Sequence, residues 1–168
     1  MHIRPEQPSD EQAIRHVLEQ AFAPRQQEAN LVEALRQQPQ GQISLVAVLD
    51  ETIVGHILFT PAEIMPQQPV KLAALGPMAV LPAHQNQKIG SKLIETGLGA
   101  CQKAGYEAVV VLGHSGYYPR FGFVTSTEYG LKCEWKVPEP AFMVKELSEG
   151  ILKKQEGIVK YLPAFSNV

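Results

Sequence analysis

The stretch KLAALGPMAVLPAHQNQKIGSKLIE, Lys71 to Glu95, limits what this chain can fold into, because an apolar run, a polar turn and an amphipathic run follow one another without a break. Leu72 to Leu81 is nearly all apolar, the pattern of a central strand covered on both faces. Pro82 ends that strand, since it has no N–H for a ladder. His84 to Lys88 is polar or basic throughout, and Ile89, Leu93, Ile94 and Leu98 then fall on one helical face, so a helix is predicted to start near Lys88. A helix start leaves its first N–H groups unpaired and carries the positive end of the macrodipole, which makes an anion site. Gly90 lets a ligand come close to the backbone there, and Lys88 adds a positive charge. An ordinary strand-to-helix connection with a solvated polar turn fits the same spacing. Two specific phosphate motifs are excluded: the P-loop needs an earlier Gly where this chain has Gln85, with Gly90, Ser91 and Lys92 in the wrong order, and the three spaced glycines of the dinucleotide fingerprint are missing.

At 168 residues with no Gly/Ser linker, the chain reads as one domain, 1–168, long enough to bury a sizeable core. Its net charge of −2, with both signs interspersed, offers no electrostatic footprint for nucleic acid or anionic lipid, so neither is an expected partner. No signal-like segment or membrane-length apolar run appears, and a cytoplasmic location is expected. Cys101 and Cys133 have no paired spacing and no nearby His cluster, so neither a disulfide framework nor a metal site is expected.

Along the chain, His2 to Glu6 is a short strand, and Ser9 with Gln12 predicts a capping-box start for a helix to about Phe22. Pro24 interrupts, and a second helix with Leu31, Val32 and Leu35 inward stops at Pro39-Gln40-Gly41. Ile43–Leu49 and Thr52–Thr60 flank Asp50-Glu51 as a hairpin, with Gly55 marking a bulge or a close approach. His56 and Glu63 are the titratable residues here able to take a proton from an attacking ammonium, directly or through water. A satisfied core role or a surface role is the competing account of both. Pro61, Pro66 and Pro69 predict an irregular connection to the central strand. The helix from Lys88 ends at Gly105, and Tyr106–Leu112 is a β-branched run, so strand, helix and strand form a parallel unit that binds ligands near its C-terminal ends. Polar and aromatic residues crowd from Gly113 to Phe123, a candidate binding loop. Further on, Ala141–Leu147 and Gly157–Tyr161 read as extended, and the sole tryptophan, Trp135, fits core packing, a partner contact or an acceptor pocket.

Val80-Leu81-Pro82 followed by Gln85, Gln87, Ile89 and Gly90 resembles motif A of the GNAT superfamily of acyl-CoA-dependent N-acetyltransferases. That motif runs Gln or Arg, two residues, Gly, one residue, Gly or Ala, and Lys88 stands where its first Gly is expected. LGPMAVLP, VVVLG, YYPRFGF and the tail segments Pro140–Met143 and Tyr161–Phe165 are similar to the YhbS-like branch of that superfamily, so the resemblance covers nearly the whole chain. It implies an α/β GNAT fold whose central mixed sheet, flanked by helices, splays between its fourth and fifth strands. It implies acetyl-CoA as co-substrate, with the backbone around Met78 and Val80 on the pantetheine and thioester, and Gln85, Gln87, Lys88, Gly90 and Ser91 on the pyrophosphate. Tyr118, placed before the Gly122-Phe123 pair at the family's spacing, is implied as the general acid for the leaving thiolate. The family's early helical pair lies over the acceptor, which draws attention to Arg25, Glu28 and Glu33, for which a solvated charged face is the competing account. The implied reaction is direct attack, in a ternary complex, by a primary amine of a small molecule or peptide. No metal is implied, and oligomeric state is left open, a homodimer included. The family's Asn contact to the coenzyme has no counterpart, because only His114-Ser115-Gly116 precede the tyrosines. Two rivals remain at this level: an acyl-CoA sensor or protein-interaction module on the same fold, and an unrelated nucleotide-binding α/β protein.

Overall fold

In the computed structural model, which describes residues 1–153 and 156–167, the chain forms two compact units. The first comprises 1–59, 77–97 and the C-terminal segment from 163; the second comprises 60–76 and 98–162.

The first unit begins with β1 (His2–Pro5), then α1 (Glu11–Ala21), α2 (Gln27–Arg36), β2 (Ile43–Leu49) and the start of β3 (Thr52–Met65). It also holds the end of β4 (Leu72–Val80) and most of α3 (Ile89–Lys103). Its strands follow the order β1-β2-β3-β4, with β1, β2 and β3 antiparallel. The β2–β3 turn is Asp50-Glu51, both left-handed at φ 50° and 64°, as a two-residue hairpin loop requires. The register shifts between Ala47 and Val48, so a bulge falls beside Gly55, where a Cβ would also meet Leu93 and the Ala79 carbonyl. Both expectations for Gly55 hold. The first helix starts differently from the sequence reading: a 3₁₀ turn, Pro8–Asp10, precedes α1, and the N-cap residue Asp10 makes no side-chain hydrogen bond to the helix but closes the turn before it. Its carboxylate accepts from the Gln7 N–H at 2.7 Å while pairing with Arg4 at 2.7 Å, a stronger acceptor than a serine hydroxyl. Ile14, Val17 and Leu18 of α1 and Leu31, Val32 and Leu35 of α2 are buried.

The second unit has the strand order β3-β4-β5-β8-β6, built with β5 (Ala108–Leu112), β6 (Val124–Thr125) and β8 (Phe142–Glu146). A parallel pair, β7 (Leu131–Cys133) and β9 (Gly157–Lys160), joins the far end of β3 through β9. Its core gathers Ala62, Ile64, Leu72, Ala74, Val110, Leu131, Phe142, Val144, Leu152 and Val159. β3 does not stop at Thr60 as expected but continues through Pro61 to Met65. The β2 ladder ends at Phe59 and the β9 ladder begins at Glu63, so Pro61 falls in the gap between them, where its missing N–H removes no bond from either.

β4 and β5 are parallel, as the strand-helix-strand reading requires, but their register covers only Leu72–Leu75 against Ala108–Val111. β4 goes on to Val80. At the point where pairing ends, Gly76 takes φ 142°, and Pro77 next to it has no N–H to donate. The separation of the fourth and fifth strands therefore has a local cause in two adjacent residues.

Candidate active site

The turn and helix start singled out in the sequence as a candidate anion site lie in the first unit. After β4 the chain makes a 3₁₀ turn at Pro82–His84 and enters α3 at Ile89, one residue beyond the predicted start. Lys92 N–H donates to the Lys88 carbonyl at 3.1 Å, which opens the helix, and residues 88 to 91 stand at the positive end of its macrodipole. The turn is built with two left-handed non-glycine residues, Asn86 at φ 64° and Lys88 at φ 66°. Lys88 thus adopts a left-handed conformation that a Gly would take more easily, while keeping an exposed side chain there. The Gln85 side-chain N–H donates to the Val80 carbonyl at 3.1 Å, closing the turn onto the end of β4. Gln87 is exposed, Gly90 and Ser91 are half-buried at the helix start, and Met78 and Val80 are half-buried at the end of β4. The structure therefore brings Met78, Val80, Gln85, Gln87, Lys88, Gly90 and Ser91 together within one unit.

His56 also lies in the first unit, completely buried on β3. Its Nε2 is 2.9 Å from Ser44 Oγ, which is 2.5 Å from Glu6 Oε1, and Glu6 in turn accepts from Arg36 Nε at 3.0 Å. A carboxylate only accepts, so the single Ser44 proton goes to Glu6 and the serine oxygen accepts from His56 Nε2–H. The remaining ring nitrogen, Nδ1, then carries a lone pair and is buried without a hydrogen-bond partner. Burial pushes the His56 pKa down to about 4, against the opposing pull of Glu6, with Arg36 lowering it further. His56 is neutral at physiological pH. No local pattern announces this series of contacts, because Glu6 follows β1 and Arg36, Ser44 and His56 come from α2, β2 and β3.

The helical pair is pinned by charge. Arg15 of α1 pairs with Glu33 of α2 at 2.9 Å and donates to Asn30 Oδ1 at 3.1 Å, and Arg25 pairs with Glu28. Glu28 is 7% exposed, and its Oε1 is buried without a hydrogen-bond partner. Beside it, Pro24, Arg25, Gln26, Gln27 and Asn30 line an open surface depression of about 480 Å³. Of the charges singled out in the sequence, Glu28 is buried, whereas Arg25 and Glu33, although paired, stay on a solvated face.

Tyr118 and Glu63 belong to the second unit. Tyr118 opens a 3₁₀ turn, Tyr118–Phe121, that ends at left-handed Gly122. Its ring is 8% exposed and meets Tyr117 and Phe123 edge-on, with centroids 5.3 and 5.7 Å apart. Burial, with a smaller contribution from Tyr117, pushes its pKa up to about 12, so the phenol keeps its proton, as an acid must. Glu63 is exposed on β3, opposite Lys160 of β9. Trp135 is half-buried and packs on Tyr161 with centroids 4.9 Å apart. Among the described residues no helix is long and apolar enough to cross a membrane.

The parallel β4–β5 pair agrees with the fold that the motifs implied, and the chain belongs to the GNAT acetyltransferase family, whose domain model matches residues 2–125. Over 167 residues, 99% of both chains, it is 33% identical to the uncharacterised N-acetyltransferase YhbS of Escherichia coli K12. The crystal structure of E. coli YhbS in complex with CoA superposes with a TM-score of 0.92 at 32% identity, covering 98% of this chain and 91% of that one. A GNAT acetyltransferase from Brucella melitensis, solved with acetyl-CoA, gives a TM-score of 0.81 at 38% identity, covering 98% and 97% of the two chains. The resemblance read from the motifs thus holds over the full length.

Proposed function

We propose that this protein transfers an acetyl group from acetyl-CoA to a primary amine of a small molecule or peptide, by direct attack in a ternary complex. The observation that carries the reading is the match along nearly the whole chain to relatives solved with CoA and acetyl-CoA. The α3 start supports it from this chain's own residues. In this reading, the N–H groups at Gly90 and Ser91 and the Lys88 ammonium hold the pyrophosphate, with Gln87 beside them and Gln85 shaping the turn. The β4 backbone at Met78 and Val80, released from pairing with β5, meets the pantetheine and the thioester carbonyl, whose developing negative charge an N–H donor stabilises. The amine nitrogen attacks that carbonyl, the C–S bond breaks, and Tyr118 gives its proton to the departing thiolate. His56 and Glu63 are the two candidate bases: His56 keeps a lone pair on Nδ1 but is completely buried with its pKa pushed down to about 4, which makes it a weak proton acceptor, whereas Glu63 is open to solvent. β3, β4 and α3 each continue from one unit into the other, which supports treating the chain as one functional domain.

Calorimetric titration with acetyl-CoA, CoA and ATP tests the ligand class. Saturable binding of both CoA species and none of ATP is the expected result, whereas a folded sample that binds no CoA species overturns the reading. A screen of amine acceptors follows, with Tyr118→Phe expected to lower kcat by roughly a hundredfold or more, the usual worth of a placed acid. Acetyl-CoA binding with no transfer to any amine would favour the sensor, and an unchanged rate in the Phe variant would remove Tyr118 from the acid role.

A further inference from the structure

We propose that Gly113 is the positioning residue for the Tyr118 phenol, the space left by its missing Cβ being the seat in which the ring lies. A Cβ built on Gly113 would stand 2.5 Å from Tyr118 Cε2, 3.2 Å from Cδ2 and 3.4 Å from Cζ. Carbon atoms pack best at about 3.5–4.0 Å, so the ring occupies volume that any other residue at 113 would claim. Neither side has room to yield. The Gly113 N–H donates to the Ala141 carbonyl at 2.9 Å, which ties the end of β5 to the residue before β8. Across the ring, Phe123 is 2% exposed and meets Tyr118 edge-on, while Tyr117 meets it from another edge. The Tyr118 N–H reaches the His114 carbonyl at 3.4 Å, so the turn carrying the ring is itself hung from the residue after Gly113. The phenol is therefore placed by a backbone approach and two aromatic edges, not by a hydrogen bond that a polar substitution would reveal.

The catalytic consequence rests on the acid role proposed for Tyr118, and a stability cycle separates the two claims. Gly113→Ala is expected to lower the urea midpoint of the wild type but to leave it nearly unchanged in a Tyr118→Ala background, where no ring remains to be displaced. In kinetics, Gly113→Ala is expected to lower kcat about tenfold to a hundredfold, the scale of an ångström-sized misplacement. KM for acetyl-CoA should change by less than about twofold, because interactions made only in the transition state are the ones lost. Gly116→Ala in the same loop, where an added Cβ meets nothing within 4 Å, is the control and should leave midpoint, kcat and KM as they were. Equal loss of midpoint in both backgrounds would overturn the seat, as would an unchanged kcat in Gly113→Ala. If the cycle behaves as expected while Tyr118→Phe retains the wild-type rate, the acid role fails, and Gly113 fails with it as a positioning residue for the reaction.

Discussion

Lys88 is the residue at which sequence and backbone disagree most usefully. The motif's first Gly is replaced by a side chain, yet the position holds φ 66°, so the conformation survived the loss of the residue that makes it easy. A left-handed non-glycine residue costs about 1–2 kcal/mol, offset in part by the greater entropy that Gly loses on folding. Lys88→Gly is therefore expected to raise stability by about 0.5–1 kcal/mol in urea unfolding. Lys88→Gln keeps the strain and removes only the charge. It should weaken CoA binding by no more than about 1 kcal/mol, an effect that fades as salt is raised, because the ammonium is exposed. A Gln variant whose CoA affinity matched the wild type at low ionic strength would take Lys88 out of the phosphate site. The motif spacing made this residue visible, but its φ was not legible, since positive φ at a lysine has no sequence signal.

At the scale of elements, α3 carries, beyond Gly90 at its start, two glycines with opposite meanings. Gly97 faces Phe59 of β3, and a Cβ there would stand 2.2 Å from its Cε1, whereas a Cβ on Gly99 meets nothing within 4 Å. In an open helical position, Gly to Ala gains about 0.8–1.0 kcal/mol from propensity alone. Gly99→Ala should recover most of that. Gly97→Ala should instead destabilise by about 1–3 kcal/mol, because overpacking against a rigid ring outweighs propensity. Paired urea melts check both signs, and two stabilised variants would mean that Phe59 can move aside. α3, the apolar strand before it and the hairpin at Asp50-Glu51 were legible because each announces itself by periodicity or turn residues within one window. Two features were not: the run of β3 through Pro61, which depends on where two ladders stop, and the residues at which β4 leaves β5, Gly76 and Pro77, since the resemblance implied the splay but not its place. Both are properties of pairing with distant segments. A Gly-Pro pair inside an apolar run was the available signal for the second.

For the whole molecule, the least legible feature is also the one that sets its response to acid. Glu6, Arg36, Ser44 and His56 are brought together only by the fold of the first unit, and a lone His on an apolar strand does not reveal its partners. Their effect on stability follows from the direction of one pKa. His56 is pushed from 6.5 down to about 4 in the folded chain, so above pH 6.5 it is neutral whether folded or unfolded and titration makes no difference. Between 6.5 and 4 the unfolded chain takes up the proton and the folded chain does not, so folding loses stability as pH falls. A shift of this size corresponds to about 3 kcal/mol across the window, a large share of a typical domain's margin. Asp10 acts separately and lower: the Arg4 guanidinium holds its carboxyl below the ordinary 3.8, so its contribution is intact above that value and is lost only as pH falls further. The expected profile is therefore a decline beginning near pH 6.5, well above the range in which carboxylates respond. His56→Gln, which can still donate to Ser44, should be less stable than the wild type at pH 7.5. It should also be flatter between pH 6.5 and 4.5, so that the two urea midpoints converge as the solution is acidified. Parallel midpoints across that interval would mean that His56 finds a partner for its second nitrogen and charges without cost.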